Sequence, residues 1–332
     1  MIRTGLLATA AVLVLLSSAL AGCGSNTGQL PDLYAQSDWQ RMGLRGSVSS
    51  LALYELSWED AFGRIRLAGL PAIDQSTAFL PTGNQAESRY YDMAGQPKYS
   101  DVFVYDDDGE TWLECVSYKS ESGNDSPRSP QWSYTNAYDE RNRISRVEGY
   151  DYDTSGQKLA KASWVHIYEY AADEGKIVRS SYSGTGALQW KNVTAYDGEG
   201  RASVSTHYDQ NGFAGWSDKF KYDAKGDRIE WSRYDSKGSL QWRDVFTYDD
   251  SGNEIRCANY DYRNKLMWEA VYLYVAEEDL EGFAVNRWTE VKNKFDSRGN
   301  WTVRMTLEKK DGFGGSYVTV KEIQKRVIGY FP

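Results

Sequence analysis

Cysteine, histidine and clustered positive charge are what this 332-residue chain has least of. Three Cys exclude a disulfide scaffold and a Cys-rich metal site. The two His, His166 and His207, stand at variable positions of the repeat described below and read as ordinary strand residues. Lys and Arg number 38 against 47 Asp and Glu, a net charge of −9. A nucleic-acid surface needs Lys and Arg gathered on one face, so nucleic acid is not expected as a partner. Gly-x-Ser-x-Gly, His-Glu-x-x-His, the phosphate loop and the dinucleotide fingerprint are all missing, so no catalytic residue, metal or cofactor is assigned. Helix signals are nearly absent from 90 to 330, and no segment beyond the first 22 residues has the length and apolarity of a membrane-spanning helix.

What is present begins with an address. Arg3 precedes an uncharged apolar run, Leu6 to Leu20, which ends in Leu20-Ala21-Gly22-Cys23. Small residues before a cysteine suit a narrow peptidase cleft, and the run is short for a membrane span. The four residues resemble the lipobox of bacterial lipoproteins. That resemblance implies a signal peptide over 1–22, lipidation (diacylglycerol and palmitate) at Cys23, and anchoring in a membrane through the lipid. Gly24, where an inner-membrane retention signal would place Asp, implies the outer membrane, with the body periplasmic or surface-exposed. Residues 23–37 are polar, broken by Pro31, and read as a flexible tether.

The body is a repeat. Trp164, Trp190, Trp216, Trp242 and Trp268 fall 26 residues apart, each with a Tyr six residues later: Tyr170, Tyr196, Tyr222, Tyr248 and Tyr274. A second series, Tyr182, Tyr208, Tyr234 and Tyr260, keeps the same period. Trp132/Tyr138 and Tyr99/Tyr105 extend the first series backwards. Turns such as Tyr222-Asp223-Ala224-Lys225-Gly226 recur between segments rich in Val, Ile, Tyr, Trp and Thr. Asp bonds the backbone two residues on and Gly takes positive φ, so each is a hairpin turn. The expected fold is all-β: an extended, twisted antiparallel β-meander of two-strand units. A β cap over 38–90 precedes the repeat sheet at 91–274, and a divergent repeat and cap follow at 275–332.

Alternation places Trp242, Asp244, Phe246 and Tyr248 on one face and Arg243, Val245 and Thr247 on the other. The aromatic band is expected to stack as the core of a curled sheet. The alternative is a row of sugar-stacking platforms, which makes Trp190, Trp216, Trp242 and Trp268 candidate binding residues. Two turn regions run longer than the rest, Lys119–Gln131 and Asp151–Ser163, on one sheet edge in adjacent units, where neighbouring insertions build binding surfaces. Asp151 and Asp153 open the second like a calcium loop, but Ala162 stands where the bidentate acid belongs, and a solvated turn is preferred. Cys115 and Cys257 occupy equivalent slots ten strands apart, ~48 Å in an open sheet. They are therefore expected to be buried free thiols.

The Tyr-Asp-x-x-Gly turns, with Ser297-Arg298-Gly299-Asn300-Trp301 near the end, resemble the YD-repeat (rearrangement-hot-spot-like) proteins of bacteria. Arg41 to Val48 and Lys325 to Tyr330 are similar to the two ends of small YD-repeat lipoproteins. The resemblance implies long twisted β-sheets. This chain is far shorter than the large members that enclose a toxin, and it has no recognisable toxin tail. The functional expectation is a lipid-anchored binding or interaction module of the cell envelope, with a glycan or an envelope protein as ligand. A structural or toxin-immunity lipoprotein is the alternative. A glycoside hydrolase ranks last, because acids in nearly every turn single out no catalytic pair.

Overall fold

The computed structural model describes residues 37–61, 64–120, 129–171, 175–290, 292–312 and 315–332. Cys23 and most of the tether lie outside them. A one-turn helix α1 (Asp38–Arg41) is followed by β1 (Val48–Glu55), the small hairpin β2 (Trp58–Asp60) and β3 (Ile65–Leu67), then β4 (Ala72–Phe79), β5 (Gln85–Tyr91), β6 (Pro97–Tyr105) and β7 (Trp112–Lys119). The chain continues through β8 (Ser129–Tyr138), β9 (Ile144–Asp151), β10 (Trp164–Ala171), β11 (Lys176–Ser183), β12 (Leu188–Tyr196) and β13 (Ala202–Asp209). Next come β14 (Ala214–Tyr222), β15 (Arg228–Asp235), β16 (Leu240–Tyr248), β17 (Glu254–Asp261) and β18 (Leu266–Val275). Two 3-10 turns, Glu277–Asp279 and Val285–Glu290, lead to β19 (Val303–Gly312) and β20 (Gly315–Tyr330).

The turns form as their residues dictate. Asp223 Oδ1 accepts the amides of Lys225 and Asp227, both at 2.9 Å, and Gly226 sits at φ 93°. Asp139, Asp197, Asp235, Asp249 and Asp296 do the same in their own turns. Each hairpin therefore pairs with the next, as an antiparallel all-β reading requires.

The sheet is not the open, extended meander expected from the repeat. β1 pairs with β20 (Leu51↔Ile328) on one side and with β4 (Leu51↔Thr77) on the other, closing eighteen strands into a barrel. The repeat specifies pairing between sequence neighbours; closure comes from β1, which lies outside it. Residues 38–90 and 275–332 supply staves of the same ring. Cys115 on β7 and Cys257 on β17 are buried and free, as expected. The open-sheet separation no longer describes them. They are ten strands apart one way and, in a ring of eighteen, eight the other, so they stand on opposite walls.

The Trp-bearing face turns inward. It carries buried Cys115, Ile144 and Ile177, and the phenols of Tyr105 and Tyr196, whose pKa burial drives up. Along it rings pack in a chain: Trp164 to His166 at 4.5 Å, His166 to Trp190 at 5.4 Å, and Trp231 to Trp242 edge-on at 5.0 Å. The expectation of an aromatic core holds for these rings, whereas Trp268 remains 44% exposed. The outer face carries charge pairs such as Lys221–Glu230 and Arg256–Glu269. One outer region is apolar: Leu273, Val275, Val303, Met305, Leu307, Val320 and Ile323, covered by Ile65 of the β2–β3 hairpin and by Leu280 and Val285. At the end of the barrel holding the Tyr222 and Tyr248 turns, α1 packs Trp39 against Phe79 at 6.4 Å.

The repeated Tyr has a job of its own. A register shift at the start of each following strand inserts one extra residue, opposite Tyr222 and Tyr248 among others. This bulge turns Arg228 and Glu254 inward, against strict alternation. The carbonyls of these residues then accept hydroxyls from the next hairpin: Tyr248 to Arg228 at 2.9 Å and Tyr274 to Glu254 at 2.6 Å.

Candidate functional site

The inner wall is a ladder of Trp on every second strand. Between successive Trp stands a residue from the intervening strand, also 26 apart: His207, Arg233 and Asn259. Their identities decide whether each gap is filled. His207 stacks on Trp216 with centroids 3.8 Å apart, and its Nδ1 lies 2.8 Å from Asn192 Oδ1. Arg233 places its guanidinium 5.3 Å from the ring centres of both Trp216 and Trp242. Asp218 holds it there by two hydrogen bonds of 2.8 Å.

Asn259 is shorter, and its Nδ2 donates to Asp244 Oδ1 at 2.7 Å without bridging the flanking rings. Between Trp242 and Trp268 this leaves a shallow recess of about 340 Å³, with Gln241, Asp244, Asn259, Asp261 and Met267 completing its lining. The two Trp stand two strands apart, about 10 Å. That separation admits one flat ring. Burial raises the Asp244 carboxyl above the usual range, with the Asn259 bond opposing the rise. Asp261 Oδ1 is committed to the amides of Arg263 and Lys265 in its own turn.

The other candidates separate. Trp190 is enclosed between His166 and His207, with the Arg179 guanidinium 5.0 Å from its ring centre. Trp216 is covered on one face by His207. Asp151 pairs across the ladder with Trp132, three strands before the strand of Trp190, and accepts the hydroxyl of Ser163. Asp153 Oδ1 accepts the amides of Ser155 and Gln157 and the Ser155 hydroxyl. Neither acid joins the Trp wall at the recess. Their loop does meet the other long turn, Tyr152 donating its amide to Gln131 at 3.3 Å, although 121–128 of that turn lie outside the described residues. Among the described residues no three His, Cys, Asp or Glu gather as a metal site. Burial and neighbouring Arg179 lower the His166 pKa to about 4, leaving a neutral ring whose Nδ1 accepts from Arg179 Nη2 at 3.0 Å.

A second inner cluster escapes sequence reasoning altogether. Arg326 lies 3.7 Å from the Trp301 ring centre and Arg304 5.1 Å from it, so one indole serves two guanidiniums. Burial, and then Arg304, push Arg326 down to about 9. Arg304 donates to Gln324, yet the Nε of Arg304 and of Arg326 are sealed from solvent without a hydrogen-bond partner. Glu254 is pushed up to about 7 by burial, with Arg304 and Arg228 opposing the shift. Strict alternation would put Glu254 outside; the bulge opposite Tyr248 brings it in.

No family model matches the chain, and no curated protein does. Among solved structures, a porin-like protein from Bacteroides uniformis is similar over 85% of this chain and 96% of its own, at 10% identity and a TM-score of 0.30. A porin-like protein from Bacteroides vulgatus is similar over 67% and 95%, at 9% identity and 0.26. TcdB2-TccC3 is similar over 81% of this chain and 18% of its own, at 10% identity and 0.22. At such scores none of the three speaks to the chemistry of this barrel.

Proposed function

We propose that this protein is a lipid-anchored binding module of the cell envelope that takes a neutral glycan on the inner wall of its barrel. The subsite is the recess between Trp242 and Trp268. The observation that carries the reading is the change of gap residue. Where His207 and Arg233 close their gaps with rings or charge, Asn259 leaves an opening flanked by indoles, with an amide and an acid in its lining. The C–H faces of a pyranose stack on indoles, and its hydroxyls exchange hydrogen bonds with such groups.

The lipobox and its Cys23 support the anchor, and the Tyr-Asp-x-x-Gly turns support kinship with the YD-repeat lipoproteins. Ion pairs on the outer face of β14 to β18 support a body that stands beside the membrane, because a lipid-facing wall is apolar. A binding role fits better than hydrolysis: Asp244 accepts from Asn259, and Asp261 Oδ1 is held by its turn, so no pair of acids is poised across the recess.

Titration with neutral oligosaccharides, followed by Trp emission and by calorimetry, tests the reading. Binding is expected to shift indole emission. It is expected to vanish in Asn259→Arg, which closes this gap as Arg233 closes its neighbour, and in Trp268→Ala. Unchanged emission and no heat across a broad panel overturn the glycan reading.

A further inference from the structure

We infer that Arg304 and Arg326, which share the ring of Trp301, form an oxyanion site on the inner wall of the barrel, separate from the Trp242–Trp268 recess. The ligand group is a compact oxyanion: a carboxylate, a sulfate or a phosphate.

The first argument is the missing counter-charge. Two guanidiniums share one indole, and among the described residues neither makes an ion pair. Their Nε atoms are buried with no acceptor. A buried cation without a partner is costly, and a sealed, unbonded N–H adds to that cost. Elsewhere on the same wall an arginine is neutralised: Arg233 has Asp218 at two contacts of 2.8 Å. Arg179 and Arg228 also bury an unbonded Nε; what sets Arg304 and Arg326 apart is that two such cations meet at one indole, which calls for an acceptor from outside the chain.

The second argument is shape. The guanidinium fork matches two oxygens of one anion, and the Trp301 ring, 3.7 Å from Arg326 and 5.1 Å from Arg304, holds the two forks near one another before any ligand arrives. The third is the neighbour across the strands. Glu254 feels both Arg304 and Arg228, and burial holds it up to about 7. It is therefore only partly charged at neutral pH and does not serve as a full internal counter-ion. Its residual charge opposes an incoming anion.

The test is calorimetry and thermal shift on the whole protein at constant ionic strength in chloride, with four probes: sodium sulfate, inorganic phosphate, glucuronate and glucose. The three anions are expected to bind or stabilise both the wild type and Trp268→Ala, and glucose to leave the thermal transition of Trp268→Ala, which lacks the neutral-sugar recess, unmoved. Sulfate and phosphate without glucuronate identify a free inorganic anion as the ligand; glucuronate alone identifies an acidic sugar. Either result supports the site. Arg304→Gln and Arg326→Gln are expected to weaken the anion about tenfold each. Glu254→Gln is expected to tighten it several-fold, a gain that loss of folding cannot produce, so the site stays testable if an arginine variant fails to fold. No response to any anion in the wild type overturns the inference, as does Glu254→Gln moving affinity in the same direction as Arg304→Gln.

Discussion

Glu254 shows what one buried acid does to the whole chain's response to pH. Its pKa rises from 4.5 to about 7 on folding. A raised carboxyl means that the folded state binds the proton more tightly, so its contribution is complete below pH 4.5 and is lost as pH climbs through 7. Glu254→Gln is expected to flatten that decline and to be more stable than wild type at pH 8 by about 3 kcal/mol, read from urea melts across pH. The residue was not legible in advance: a period-two reading points it outward, and only the bulge reverses it. The same blindness applies to Asn259. Its spacing from His207 and Arg233 lies in the sequence, but what decides the recess is how far each of these side chains reaches toward the indoles on either side. The two cysteines are buried and free as expected, but the open-sheet distance behind that expectation does not apply; their strands stand on opposite walls of the closed ring. Both thiols are expected to resist a bulky disulfide reagent in the folded protein and to react on denaturation; burial raises Cys257 to about 12 and Cys115 higher still.

At the scale of the element, the recurring Tyr-Asp-x-x-Gly turn was fully readable, since Asp and Gly there satisfy specific backbone demands. The Tyr was readable as a beat but not as a hydrogen-bond donor. Tyr248→Phe removes the bond to the Arg228 carbonyl and is expected to cost about 1 kcal/mol, checked by the urea midpoint at unchanged slope. Strand β9 carries a stricter demand. A Cβ on Gly149 would lie 2.0 Å from the Trp164 ring, so Gly149→Ala is expected to destabilise by about 2 kcal/mol or more, accompanied by a change in near-ultraviolet dichroism from the displaced indole. The outer apolar layer over β18 to β20 belongs to the part of the chain where the period fails, which is why no periodic argument found it.

At the scale of the molecule, a repeat describes how each hairpin joins the next and is silent on where the series ends. The barrel follows from β1, whose two neighbours lie more than two hundred and fifty residues apart in the chain. Ala52→Pro, in the middle of that stave, removes an amide and imposes a ring in a strand paired on both sides. It is expected to lower stability by about 3 kcal/mol and to raise amide exchange in β1, β4 and β20 ahead of the remaining staves.

That seam also sets the order of assembly. While the chain is being made, β4 to β20 zip up one after another from local contacts, but β1 gains its second neighbour only when β20 has emerged. The growing sheet therefore carries two raw borders until β20 is made, and a product stalled or clipped before β20 keeps an adhesive edge on β19 while β1 is left with one neighbour. Completing the ring waits for β20 and is done by β1, the stave made before all the others in the sheet.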